Sequence, residues 1–139
     1  MTTGEKPKVP VVRYLRLEPE AAIVANRCTS CGALYVQRRS GCGRCGSTSF
    51  EGDVELSRSG RVVTATVVHR GPKGVPTPFT SGVVALDGGG SVRTTITGPG
   101  VGDPVSLVGA AVHLETSVVG TDSRGVEAVA FTFTTEATA

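Results

Sequence analysis

Residues 28–32 read Cys28-Thr-Ser-Cys31-Gly32, and residues 42–46 read Cys42-Gly-Arg-Cys45-Gly46. These segments hold all four cysteines of the 139-residue chain, in two C-x-x-C pairs with ten residues between them. A glycine follows each pair and supplies a positive φ at no steric cost. A tight turn of this kind points two sulfurs inward with backbone N–H groups facing them. Two such turns facing each other close a tetrahedral site of four thiolates, the structural type of zinc centre. A spacer of roughly 15–20 residues is the common spelling of this pattern, and ten is a shorter variant of it.

The plain alternative is a pair of disulfides. Neighbouring C-x-x-C cysteines bridge mainly in redox enzymes, which need one reactive pair and not two mirrored ones. The opening residues Met-Thr-Thr-Gly-Glu-Lys-Pro-Lys carry no apolar core of a secretory signal, so a cytoplasmic protein with reduced thiols is expected. The expectation is one structural Zn²⁺ per chain, held by Cys28, Cys31, Cys42 and Cys45.

Around this centre the composition is that of a soluble, mostly-β chain. It has 19 Gly and only six aromatic residues, and it is rich in Val and Thr, whose β-branching favours strands. No apolar run approaches the ~20 residues of a membrane-spanning helix. The formal charge of +2 is unevenly spread: residues 1–61 hold ten Lys and Arg against six acids, residues 62–139 four against six. Four thiolates and one Zn²⁺ would bring the whole close to neutral.

Residues 1–10 read as a flexible polar tail, residues 11–55 as the zinc-ribbon module, and residues 56–136 as a barrel. Within the ribbon, residues 20–26 lead in as a strand or one helical turn, residues 33–39 form the second arm, and residues 47–51 a short third strand. Beyond Gly60, five strands are expected, at residues 61–69, 79–86, 91–97, 111–118 and 126–133. Asp87-Gly-Gly-Gly90 is a hairpin turn between the second and third. Residues 98–108 interrupt the third and fourth, where an OB barrel carries a helix or loop. The fold class expected is a rubredoxin-like zinc ribbon followed by a five-stranded OB-fold barrel; a five-stranded Greek-key sandwich reads much the same. So small a ribbon depends on its metal for folding free energy.

Several segments together resemble a known family. They are Arg27-Cys-Thr-Ser-Cys-Gly-Ala-Leu-Tyr-Val-Gln-Arg-Arg39, Cys42-Gly-Arg-Cys-Gly-Ser47, Gly60-Arg-Val-Val-Thr-Ala-Thr-Val-Val-His69, Pro78-Phe79 and Val84-Ala-Leu-Asp-Gly-Gly89. The family is that of the bacterial and archaeal zinc-ribbon/OB-fold proteins, long filed as a domain of unknown function, that accompany acyl-CoA enzymes. The resemblance implies a non-catalytic scaffold subunit in a hetero-oligomer. Its partner would be a thiolase, with MaoC-type enoyl-CoA hydratase or hydroxymethylglutaryl-CoA synthase as alternatives. It also implies help in forming a CoA site and in retaining acyl-CoA intermediates. The chain departs from the family pattern in its short N-terminus and in Ser40-Gly41, where a proline usually precedes the second knuckle.

Arg27, Arg38, Arg39 and Arg44 flank the knuckles. Arginine grips phosphate and carboxylate through two N–H groups, so these side chains are candidates for CoA phosphate or a partner surface. The plainer reading is that they offset the negative charge of a tetrathiolate centre. Lys73 and Phe79, in and after the proline-rich loop at residues 70–78, are candidate contacts on the same terms. His69 and His113 have no ligand spacing and read as ordinary strand residues. Gly98-Pro-Gly-Val-Gly102 lacks the lysine and hydroxyl of a phosphate loop and reads as a turn.

A stand-alone enzyme is disfavoured, because the only thiols are committed to metal and no nucleophile–base set is present. A nucleic-acid-binding ribbon and barrel is the third possibility. It lacks the stacking aromatics and basic groove of a single-strand binder: residues 62–139 contain three Phe and neither Tyr nor Trp.

Overall fold

The computed structural model of the chain describes residues 7–18, 20–37, 39–71, 73 and 76–135. Ten strands and one short helix succeed each other: β1 (Lys8–Pro10), β2 (Leu15–Arg16), β3 (Ala22–Cys28), β4 (Leu34–Tyr35), β5 (Phe50–Glu55), β6 (Ser59–Val68), β7 (Phe79–Leu86), β8 (Ser91–Thr97), α1 (Pro104–Leu107), β9 (Ala111–Thr121) and β10 (Glu127–Thr135). No helix among the described residues is long and apolar enough to cross a membrane.

β6 to β10 close into the expected OB barrel. β6, β7 and β8 pair antiparallel in sequence order, β8 pairs parallel with β10, and β9 joins β10 back to β6. The alternation of Val92, Thr94 and Ile96 turns all three inward, and Val84, Leu86, Val112, Val129 and Phe133 fill the interior from the other strands. Phe133 is fully buried, a contribution of about 1.5–3 kcal/mol from its side chain. In the interruption, Asp103 accepts the Ser106 N–H as the N-cap of α1, Pro104 occupies the first turn, and Leu107 plugs the core.

The ribbon is a second, small sheet in which β3 pairs with β2, β4 and β5. Among the described residues it has no separate core of its own. Leu15, Ile23, Ala25 and Leu56 are buried together with the barrel residues in a single cluster, and Leu34 packs against it. Leu34 and Leu56 close over the Gly89–Gly90 backbone, so the ribbon sits on the β7–β8 hairpin end of the barrel.

Three expectations change. Lys8, Val9 and Pro10 are not tail: as β1 they pair parallel with Glu127, Ala128 and Val129 of β10, and the Val11 N–H extends the ladder to the Val129 carbonyl at 2.9 Å. Residues 1–6 lie outside the described residues. The third ribbon strand is β5 at residues 50–55 rather than 47–51, because residues 46–49 are used in turning the second knuckle. β9 runs on to Thr121 instead of ending at residue 118.

Candidate metal centre

Two turns of the same design carry the cysteines. In the first, the Cys28 N–H donates to the Ala33 carbonyl (2.8 Å) and the Gly32 N–H donates back to the Cys28 carbonyl (2.9 Å). In the second, the Cys42 N–H donates to the Ser47 carbonyl and the Gly46 N–H to the Cys42 carbonyl, both at 2.8 Å. Gly32 and Gly46 have φ of +82° and +79°, so the repeated glycine is a backbone requirement of each turn. β3 delivers Cys28 from the sheet, and Ser30 Oγ donates to Ser47 Oγ at 3.2 Å across the two turns.

The four sulfurs lie within 4.8 Å of one another, with Cys28–Cys45 at 3.5 Å and Cys31–Cys42 at 3.6 Å. A tetrahedron with zinc–sulfur bonds of ~2.3 Å has edges of about 3.8 Å. A disulfide would bring two sulfurs to ~2.0 Å, so the bridged alternative is not the arrangement present. The donor set and spacing fit one Zn²⁺ in a closed site, which would serve as a structural cross-link between the two turns. Cys28 and Cys42 are buried, Cys31 is half-buried and Cys45 is exposed.

The free thiols show how strongly this cluster calls for a cation. The Cys31 backbone N–H leads the groups that hold the Cys28 thiol below its ordinary range. The Tyr35 hydroxyl, ahead of the Arg44 and Cys45 N–H groups, holds Cys42 at about 6. The Ser47 N–H pulls Cys45 down, but the Cys28, Cys31 and Cys42 sulfurs and burial outweigh it and push that thiol up to about 12. The sulfurs cannot all ionise together unless a cation shares their charge.

Tyr35 was not among the residues singled out from sequence. Its hydroxyl lies 3.6 Å from Cys42 Sγ and accepts the Gly43 N–H at 3.1 Å, while its ring meets Phe50 edge-on at 6.2 Å. A tyrosine beside a knuckle, in a chain with six aromatics, is the signal that marks it. Arg39 stacks its guanidinium 4.5 Å above the Tyr35 ring, and its Nε donates to the Gly41 carbonyl at 3.4 Å. Arg27 pairs with Glu51 across the ribbon at 3.5 Å. The Arg44 backbone N–H donates to Cys42 Sγ at 3.4 Å and its side chain is exposed. Arg38 lies outside the described residues.

Phe79 is not brought to this centre. Lys73 is exposed, and Phe79 starts β7 at the end remote from the ribbon, about 23 Å away at ~3.3 Å per residue. His69 is exposed beyond β6, and the nearest carboxylate to His113 is Glu115, at 3.8 Å.

Residues 19–51 match the rubredoxin-like zinc ribbon domain of ChsH2, and residues 53–117 match the C-terminal OB-fold domain of ChsH2. A DUF35 domain-containing scaffold protein of Methanocaldococcus jannaschii is 29% identical over 92 residues, and the match spans 64% of each protein's length. Among solved structures the chain is similar to the Ltp2-ChsH2(DUF35) aldolase, with a TM-score of 0.63 and 23% identity over 82% of this chain and 84% of that one. That likeness shows the fold. A DUF35-family protein of unknown function from Sulfolobus solfataricus aligns at a TM-score of 0.47 with 19% identity, covering 78% of this chain and 75% of that one.

Proposed function

Because the chain belongs to the family of ChsH2-type, DUF35 zinc-ribbon and OB-fold proteins, we propose that it is the non-catalytic scaffold subunit of an acyl-CoA enzyme, and that this enzyme is a thiolase. The observation that carries the reading is the closure of the metal site. Four sulfurs fill a tetrahedral zinc and leave no position for an activated water. All four thiols are thereby committed, and His113, although Ser59 and Thr134 flank it in the sheet, makes no hydrogen bond to either hydroxyl among the described residues. The nucleophile and base of an acyl transfer would come from the partner chain.

The naming of the Methanocaldococcus relative as a scaffold protein supports the role, and the Ltp2-ChsH2(DUF35) pairing supports an enzyme partner. On this reading the ribbon arginines serve the complex. Arg39 is held in place by Tyr35 and Gly41, and Arg44 projects into solvent, so both suit a CoA phosphate or a partner carboxylate at the subunit boundary. Arg27 is already engaged by Glu51. The complex would work in the cytoplasm, where acyl-CoA is made and consumed. The nucleic-acid reading loses further ground, because Phe133 is buried and Phe131 packs edge-on against it and Tyr14.

The test is to produce the protein alone and together with the acyl-CoA enzyme encoded beside it, and to follow both by size exclusion and by CoA-dependent turnover. Co-elution in fixed proportion, with activity residing in the partner, is the expected result. A monomer that ignores thiolase, MaoC-type hydratase and hydroxymethylglutaryl-CoA synthase but retards single-stranded DNA would overturn the proposal.

A further inference from the structure

One open stretch of the barrel wall lies along the end of β9. β9 pairs with β6 at Ala111, Val112 and His113, and the Leu114 N–H still donates to the Arg58 carbonyl at 2.8 Å. From Arg58 the chain leads back toward the ribbon, while β9 continues to Thr121 against β10 alone. Strand alternation aims the N–H and C=O groups of Thr116 and Val118 to the same side as those of Leu114. The Val129 carbonyl, opposite Val118, accepts from Val11 on the far side of β10, as this alternation requires. Among the described residues no strand takes up the outward groups of Thr116 and Val118.

This edge lacks most of the devices that blunt an open strand. Residues 116–121 read Thr-Ser-Val-Val-Gly-Thr, with no charge and no proline, and only a bulge at Val119 interrupts the register. All of residues 115–121 are exposed, Val118 at 46% and Val119 at 61%. Beside the edge runs a groove of about 770 Å³ with Leu17, Val118 and Val129 in its wall. Among the described residues its carboxylates, Glu18 and Glu127, outnumber its one cation, Lys8, and Glu115 opens the free edge with a further negative charge.

We infer that residues 115–121 form a docking edge onto which the acyl-CoA enzyme subunit adds an extended segment, apolar at alternate positions and flanked by Lys or Arg. Backbone pairing would supply the affinity and the acidic rim the choice of partner. A second copy of this chain is the poorer occupant, because pairing two such edges brings Glu18, Glu115 and Glu127 of both copies together. The identity of the partner rests on the function proposed above; the edge and its chemistry do not.

The probe is a heptapeptide of alternating threonine and valine with lysine at both ends, titrated into the zinc-loaded, ¹⁵N-labelled full chain. The Thr116 and Val118 amides should shift on binding, and a glutamate-ended peptide should bind about three-fold more weakly at low salt. Val118→Pro removes an outward N–H and leaves the β10 ladder intact; it should weaken binding about five-fold at unchanged zinc content. Absence of any shift at these amides with either peptide overturns the inference. So does a wild-type dimer in sedimentation that Val118→Pro dissolves, since the occupant would then be a second copy. Peptide binding at the edge without complex formation by any acyl-CoA enzyme would leave the edge standing and remove the function proposed above.

Discussion

The Tyr35 hydroxyl lies 3.6 Å from Sγ of Cys42 and accepts the Gly43 N–H at 3.1 Å, so one phenol joins the arm of the first knuckle to the turn of the second. It donates to a ligand sulfur while fixing the backbone that carries it, as an outer-shell partner of a metal site does. Tyr35→Phe keeps the ring and its contact with Phe50 but loses both hydrogen bonds. Zinc affinity should fall about ten-fold, read by competition with a chromophoric chelator. Unchanged affinity would show the hydroxyl to be a bystander.

Gly82 lies where β7 runs close against β6. A Cβ there would stand 2.4 Å from the Thr64 carbonyl oxygen and 2.6 Å from Cδ1 of Ile96. The first of these is backbone and cannot swing away, so Gly82→Ala should cost about 2 kcal/mol or more in chemical denaturation. Gly102→Ala meets nothing within 4 Å and serves as the control, with a change inside ~0.5 kcal/mol.

Asp53 has φ of +56°, the one non-glycine residue in the left-handed region among those described. It sits in a β-bulge, where Gly52 and Asp53 of β5 face Asn26 of β3 between the Ala25–Val54 and Arg27–Glu51 pairs. Asp53→Gly relieves the strain and should stabilise by up to ~1 kcal/mol, whereas Asp53→Val should destabilise by about 1 kcal/mol or more. Thermal unfolding of the two variants should therefore bracket the native protein.

Arg16 hydrogen-bonds to Glu55 and, with its charge, holds that carboxyl below its ordinary 4.5. A lowered folded-state pKa adds stability above the unfolded value, and that stability is lost as pH falls through the folded one. The native protein should thus be more stable than Glu55→Gln at pH 7, and the gap should close below about pH 4. Denaturation curves at the two pH values give the difference; protonation of the zinc ligands affects both proteins alike and cancels. A gap that persists in acid would mean the pair contributes packing rather than charge.

Much of the site and of the barrel is legible in the order of residues. The two knuckles follow from four cysteines and two glycines at fixed offsets, and β7 and β8 span the expected residues 79–86 and 91–97. In both cases the signal is local: ligand spacing within a turn, and a period of two along a strand bounded by glycine and proline. β1 was not legible, because Lys8-Val-Pro10 has no pattern of its own and becomes a strand only by pairing with β10, more than a hundred residues later. Tyr35 was passed over for a similar reason, since its hydroxyl acquires a role only when the second knuckle folds back beneath it.

Residue order alone was enough to specify a zinc ribbon and a β barrel, because each depends on residue type at short range. Tertiary structure decided the rest. It set Phe79 the length of a strand away from the ribbon, merged the ribbon and barrel into one core through Leu15, Ile23 and Leu56, and left the outer edge of residues 115–121 of β9 without a partner strand among the described residues, past the point where β6 begins. Those outcomes depend on which strands meet and where each pairing stops, and contacts between residues far apart in the chain settle both.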